Sequence, residues 1–395
     1  MEKTRDYKLL VARKALSSFF NGFARRYFDV YVVLLGFNPE QLGLMRSVGM
    51  LGASLPISLI GFAADLLGRR KAYAAALALE VAAALAFALA GDWLLLTLGF
   101  ICTAVAMYGL RPLEYLLLAD TTPREERGLG IGIADSLALI ASASSPIVAA
   151  VVIDSLGGIS VGSLRSLFVI QLAGLASSAA IILPLRELPG PAHRRLREAL
   201  REVISFVGRR KWLERWILLE ALGGYVFSTT MPYQLVYAIE YKGADEFIVG
   251  YMLAALYVTS VIFSPLVGKL ADRIGRVKTI LLMRPLFAIS TLTFLYAPRP
   301  GYLVLAFALL GAFFSSATAF QTLALELVPA ECRGRWMGLR VLISLLARSP
   351  APAVGGLLFT RISPEAPFLL AIMIDSVLRV PLIYKTPETL WDRVE

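Results

Sequence analysis

The sequence predicts an all-α membrane protein in which twelve transmembrane helices form two pseudo-symmetric six-helix bundles. Three observations carry that expectation. Hydrophobic residues make up 57% of the 395 residues against 17% charged, and the mean hydropathy is +0.69. A water-soluble chain of this length needs far more charge to cover its surface. Apolar stretches of about 20 residues, the length that crosses a hydrocarbon core, recur along the whole chain. Finally, one segment is written twice, 207 residues apart: Gly61-Phe-Ala-Ala-Asp65-Leu-Leu-Gly68-Arg69-Arg70-Lys71 and Gly268-Lys-Leu-Ala-Asp272-Arg-Ile-Gly275-Arg276-Val-Lys278.

In chain order the apolar stretches fall at 12–35, 42–63, 72–91, 94–118, 129–153 and 164–185. They recur at 214–240, 248–269, 278–297, 301–325, 335–358 and 365–384. The expected organisation is an N-terminal bundle over 1–185, a linker over 186–213 and a C-terminal bundle over 214–395. The first stretch is the least hydrophobic, and with no small-residue cleavage site it would itself serve as the insertion signal. Lys3, Arg5, Lys8, Arg69, Arg70, Lys71, Arg124, Arg127, Arg273, Arg276, Lys278, Arg333 and Arg335 all fall on one side, which predicts that both termini face the cytoplasm of a cell membrane. Trp93, Trp212, Trp216 and Trp336 lie near span ends, where an interfacial aromatic belt is expected. The linker, with seven basic residues between Arg194 and Lys211, reads as an amphipathic segment on anionic lipid or as a solvated tether.

The duplication extends beyond the loops. Gly36…Gly43-Leu-Met45 matches Gly243…Gly250-Tyr-Met252 at the same offset. Asp120-x-x-Pro123-x-x-x-Arg127-Gly128 matches Glu326-x-x-Pro329-x-x-x-Arg333-Gly334 at an offset of 206, as Pro146 does Pro352. Six spans per half make the halves parallel repeats about an axis along the membrane normal.

The net charge of +10 sits in short clusters between apolar runs, which excludes nucleic acid as a partner. Two cysteines, Cys102 and Cys332, and a single histidine, His193 in the linker, provide neither a metal set nor histidine-based catalysis. There is no phosphate-binding Walker loop, so ATP does not drive the protein directly. No cofactor, no metal and no enzymatic activity are expected, and the chain is expected to act as a monomer.

Over its full length the chain resembles the major facilitator superfamily. The G-x-x-x-D-x-x-G-R-x-K loop between the second and third spans, repeated between the eighth and ninth, and the acidic-x-x-P-x-x-x-R-G ends of the fourth and tenth spans carry the resemblance. The glycines Gly61, Gly68, Gly268 and Gly275 suit close helix approach and tight turns. The resemblance implies that Asp65 docks on the start of the eleventh span and Asp272 on the start of the fifth. It also implies that Arg69 pairs with Asp120 and Arg276 with Glu326, with Arg127 and Arg333 in the same gate. These contacts would hold a cytoplasmic gate shut.

Charges deep in a bilayer cost several kcal/mol each and are functional candidates by default. On the first span Asn21, Arg25 and Asp29 form an i, i+4 stripe, with Arg26 beside it. Arg111 and Glu114 have the spacing of an intrahelical ion pair, whether structural or functional. Asp135 lies two turns into the fifth span, and Arg348 and Asp375 lie near the middle of the eleventh and twelfth. Glu80, Glu220, Arg284, Arg340 and Arg379 sit nearer the span ends, where Arg284 and Arg379 would snorkel or stitch helices together. On the seventh span Tyr225, Thr229, Tyr233, Tyr237 and Tyr241 recur every four residues beside Gln234, a stripe expected to face a cavity. Pro232 predicts a kink there.

The expected function is alternating-access secondary transport of a small-molecule substrate. Protons are the expected coupling ion, with Asp29 and then Glu114 as carrier. Export of amphipathic compounds is favoured by the aromatic stripe, while transport of organic anions through Arg25 and Arg26 is the alternative. A transporter-like sensor or lipid-moving protein is the reading from a different class.

Overall fold

The computed structural model describes residues 2–123, 126–185, 211–328 and 333–389. The linker residues 186–210, with His193, and Cys332 lie outside the described residues, as do the side chains of Asp65, Arg111, Trp212 and Arg333 and the surroundings of Gly61. The chain divides into two compact units, Met1–Phe37 with Val48–His193, and Asn38–Ser47 with Arg194–Glu395. Among the described residues there is helix and turn and no strand.

The helices are α1 (Glu2–Ala24), α2 (Phe28–Leu34), α3 (Pro39–Leu67), α4 (Arg69–Leu89), α5 (Trp93–Thr121), α6 (Arg127–Ser155) and α7 (Val161–Ala180). They continue as α8 (Lys211–Glu240), α9 (Glu246–Ile274), α10 (Arg276–Leu295), α11 (Tyr302–Phe314), α12 (Ala317–Glu326), α13 (Arg333–Arg348), α14 (Ala351–Arg361), α15 (Ala366–Met373) and α16 (Val380–Tyr384). Nine stretches among the described residues are long and apolar enough to cross a membrane. Helices also stand at the other three expected positions, as α1–α2, α3 and α8.

Local chemistry explains the boundaries. Asp92 and Asp245 cap α5 and α9, their carboxylates accepting the Leu95 and Ile248 N–H groups at 2.8 and 2.7 Å. Ser160 and Ser163 cap α7 reciprocally. Gly68 and Gly275 precede α4 and α10 with φ of +89° and +103°, a region closed to side chains with a β-carbon. These turns are what the repeated loop requires of its second glycine. The first glycine differs: a β-carbon on Gly268 would meet nothing within 4 Å, so no close approach constrains it.

Prolines inside the helices do not interrupt them. α8 runs unbroken through Pro232, as other helices do through Pro56, Pro112, Pro146, Pro265 and Pro285. Neighbouring helices and Ser/Thr side chains compensate a proline's missing N–H in such bundles. The first span instead breaks at a 3₁₀ turn, Arg25–Tyr27. That turn advances each residue by more than an α-helix does. The stripe through Asn21, Arg25 and Asp29 is therefore not continuous. The eleventh span breaks between α13 and α14, and the last runs through a π-helical stretch, Ile374–Arg379.

Each unit has its own apolar core. Leu10, Tyr73, Leu77, Leu113, Leu117 and Leu118 pack together in the first, and Trp216, Ile280, Leu323 and Trp336 in the second. Trp216 and Trp336, expected near span ends, are covered by neighbouring helices. Each is only 1% exposed: Trp216 stacks on Phe320 at 4.6 Å, and Trp336 donates its indole N–H to the Ala324 carbonyl at 3.0 Å. The outer faces carry leucines and isoleucines instead, among them Leu129, Ile140, Ile262 and Leu282, as lipid requires.

α9 and α11 approach closely at Gly311. Ser260 donates to the Gly311 carbonyl and Thr259 to that of Ala308, both at 2.9 Å. A β-carbon at residue 311 would strike the Leu256 carbonyl and the Thr259 hydroxyl. Gly311→Ala is therefore expected to lose about 1–3 kcal/mol of stability in detergent, read as a lowered unfolding midpoint. Gly268→Ala, facing open space, should leave the midpoint unchanged or slightly raised.

Candidate functional site

In the first unit α1, α4, α5 and α7 surround a narrow polar cleft lined by Asn21, Arg25, Glu80, Phe87, Thr103 and Gln171. Asn21 Nδ2 donates to Glu80 Oε1 at 2.7 Å, and Gln171 Nε2 donates to Asn21 Oδ1 at 3.2 Å. The relay fixes which way each amide points, so the Glu80 carboxylate is met by a neutral donor. Among the described residues no cation comes within 4 Å of it. Gln171 Oε1 is buried and has no hydrogen-bond partner, which leaves an acceptor to be satisfied. Arg25 meets Met107 Sδ at 3.0 Å. Asp29 does not line this cleft; it is buried in the first turn of α2, beyond the 3₁₀ turn that also holds Arg26.

A second polar cluster ties α1 to α4, α5 and α6. Arg13 pairs with Glu114, which also accepts from the Tyr73 hydroxyl at 3.0 Å. Lys14 Nζ stands 3.4 Å from Glu114 Oε2 and 2.5 Å from Asp135 Oδ1. The Tyr115 hydroxyl donates to Asp135 Oδ2 at 2.9 Å. Glu114 thus takes its cations from α1. With two cations and a tyrosine on it, Glu114 is a pinned anion, which argues against its expected role as carrier.

In the second unit Asp375 Oδ1 accepts from Arg284 at 2.8 Å and from Arg379 at 2.6 Å. All three are at most 7% exposed, so these arginines do not snorkel. Arg340 grips Glu220 with two bonds, of 2.6 and 2.8 Å. Arg348 lies beside Gly224 of α8, and Arg379 beside Gly223, where a side chain would displace either guanidinium arm.

The tyrosine stripe does not face a cavity within its unit. The Tyr233 hydroxyl donates to the Pro352 carbonyl at 2.6 Å and its ring stacks on Phe359 at 5.3 Å. The Tyr237 hydroxyl donates to Glu365 at 3.1 Å. Tyr233, Tyr237 and Thr229 are buried, Tyr225 is half-buried and Tyr241 is exposed. α14 and α15 pack on this face of α8, so its hydroxyls find partners there. Burial alone would raise the Glu365 carboxyl. Its own backbone N–H, Ser363, Tyr237 and nearby Lys242 outweigh that and hold it below the ordinary range. Gln234, off the stripe, lines a narrow pocket with Thr230, Ser290, Thr291 and the rings of Phe287 and Phe294.

The repeated loops carry their ion pairs inside each unit. Arg69 pairs with Asp120. Arg276 reaches Glu326 at 3.2 Å and, one turn back, Asp272 at 3.1 Å. Glu388, after the last span, caps α10 by accepting the Arg276 and Val277 N–H groups at 2.9 and 3.0 Å, and Thr389 donates to Glu326 at 2.5 Å. Arg127 opens α6 with its Nε buried and without a hydrogen-bond partner.

Gln171, Thr103, Arg13 and Lys14 carry these arrangements but were not singled out from the sequence, and Glu80 was placed near a span end. One signal was available: Gln171 and Glu80 are polar residues in otherwise apolar stretches.

Buried charge networks, apolar outer faces and helices of membrane-crossing length define a multi-pass helical membrane protein. The family model described as Major Facilitator Superfamily matches residues 15–245 and 217–378. The chain belongs to that superfamily, and it is a transporter rather than an enzyme. It is 33% identical over 127 residues to YwtG of Bacillus subtilis (strain 168), named for metabolite transport, a match that covers 31% of this chain and 28% of the relative. Its fold is similar to that of the nucleoside transporter NupG (TM-score 0.77, 16% identity, covering 97% of this chain and 100% of the other). It is also similar to the xylose transporter XylE from E. coli (TM-score 0.71, 14% identity, covering 98% and 97%).

Proposed function

We propose that this chain is a proton-coupled secondary transporter of a small, neutral, hydrogen-bonding organic solute, with Glu80 exchanging the proton. The observation that carries this proposal is the Gln171–Asn21–Glu80 relay in the first-unit cleft. A carboxylate clasped by a neutral amide rather than by a cation takes up a proton without breaking an ion pair, which Glu114 and Asp375 do not. Amides and the Thr103 hydroxyl match a solute rich in hydroxyl or amide groups. The Gln234 pocket of the second unit has the same chemistry beside phenylalanine rings. The names of NupG and XylE, a nucleoside and a xylose transporter, agree with such a solute class. Transport proceeds by alternating access, as parallel six-helix repeats allow.

The runner-up, an organic anion, is favoured by Arg25 on the same cleft. Among the described residues the second unit offers no reason to prefer export, because the tyrosines that favoured it are packed inside.

The test uses purified protein in liposomes with a pH gradient imposed in either polarity. A labelled pentose or nucleoside should accumulate under one polarity, about tenfold per pH unit for one proton. Accumulation under neither polarity sinks proton coupling, and preferential uptake of a carboxylate replaces the neutral solute with the anion.

A further inference from the structure

Lys14 stands between two carboxylates of unequal access. Its ammonium is 2.5 Å from Asp135 Oδ1 and 3.4 Å from Glu114 Oε2. The Glu114 side chain is 7% exposed and that of Asp135 is 37% exposed. Of the two carboxylates, Asp135 is the more open and Glu114 the more enclosed. Every charged or titratable group facing this point can be named among the described residues. α1 supplies Arg13 and Lys14, α4 supplies Tyr73 and Glu80, α5 supplies Glu114 and Tyr115, and α6 supplies Asp135. α7 brings only Arg165, which is bound elsewhere, to Tyr31 and the Ala90 carbonyl.

We infer that Lys14 is a proton-operated clasp between the first and fifth spans: protonation of Asp135 releases it, and it falls back onto Glu114. With Asp135 ionised, the four groups Arg13, Lys14, Glu114 and Asp135 sum to zero charge, and Lys14 ties α6 to α1. Protonation removes one anion, and among the described residues Glu114 is the other carboxylate within 4 Å of the ammonium. The ion pair between α1 and α6 is lost, while the packing of α1 on α6 and the Tyr7–Gly130 hydrogen bond of 2.8 Å remain. The lysine suits this role, because an ammonium on a flexible stem moves between partners where a bidentate guanidinium does not.

The second unit supplies the comparison. Shifted by the repeat offsets, Lys14 and Asp135 land on Ala221 and Val341, one residue past Glu220 and Arg340. The first and fifth spans of that half are thus also joined by an ion pair, with the polarity reversed. There Arg340 binds Glu220 through both oxygens, with bonds of 2.6 and 2.8 Å. One half holds a fixed clasp and the other a movable one.

The inference rests on the proton-coupled reading above and is tested by a separate measurement. Spin labels at Ala12 and Ser136, both exposed, report the α1–α6 distance in a Cys102→Ser, Cys332→Ser background in liposomes. As pH is lowered from neutral to about 3, a second distance population should grow. Asp135→Asn should show that population already at high pH with no further response, and Lys14→Met should abolish the response. A wild-type distribution unchanged across the range overturns the clasp, as does a full response in Asp135→Asn. If Asp135→Asn does not fold, Lys14→Met decides alone: a response that survives it overturns the clasp. Glu80→Gln should keep the distance response while losing gradient-driven uptake. An intact response in the unsubstituted protein together with no gradient-driven uptake therefore sinks the transport reading only.

Discussion

Asp375→Ala is expected to be among the most destabilising single changes in the second unit, costing about 3–5 kcal/mol. Asp375 is the shared acceptor of Arg284 and Arg379, at 2.8 and 2.6 Å, and the three are 3%, 7% and 4% exposed. Removing the anion leaves two guanidinium groups facing each other without compensation in a low-dielectric interior. Neither has a short route to water. Arg379→Met is the instructive companion. It leaves Arg284 and Asp375 as a simple pair and replaces a charge with an apolar side chain of similar length, so a change of no more than about 1 kcal/mol is expected. Unfolding midpoints in detergent read both. Comparable losses for the two variants would show that the triad is not organised around Asp375.

Glu80→Gln should abolish gradient-driven accumulation while leaving solute exchange intact. The substitution keeps size and shape, and the glutamine carbonyl still accepts from Asn21 Nδ2, now at 2.7 Å from Glu80. What disappears is the group that binds and releases the proton. One coupled proton concentrates solute about tenfold per pH unit, so accumulation under a two-unit gradient should fall from about a hundredfold to none. Counterflow, which needs no net proton movement, should persist. Gradient-driven uptake that survives the substitution would move the carrier to another carboxylate, Asp29 or Asp135.

The helix positions were legible because bilayer thickness sets span length one-dimensionally. The duplicated loop marked Gly68 and Gly275 as turns because their backbone conformation excludes a β-carbon. Arg69–Asp120 and Arg276–Glu326 were readable from the family resemblance. The facing of side chains was not. In water an apolar stripe points to the core, but in a bilayer lipid and neighbouring helix are equally apolar, so periodicity cannot tell them apart. Tyr233 and Tyr237 were therefore assigned to a cavity and lie against α14 and α15. Trp216 and Trp336 were assigned to the interface and lie in the core. Asn21 and Arg25 were joined with Asp29 on a stripe that the 3₁₀ turn interrupts.

By itself, then, the sequence determined the class: a duplicated, multi-span chain with two repeated loops and an excess of intramembrane charge. Span length, glycine conformation and charge cost are local quantities, written residue by residue. Only the tertiary structure decided which charges are spent on one another. Glu114 went to Arg13 and Lys14, Asp375 to Arg284 and Arg379, and Glu220 to Arg340. Glu80 faces the neutral amide of Asn21, with Arg25 on the same cleft. The physical reason is that an ion pair forms across helices distant in sequence, at separations of a few ångströms that no linear spacing records.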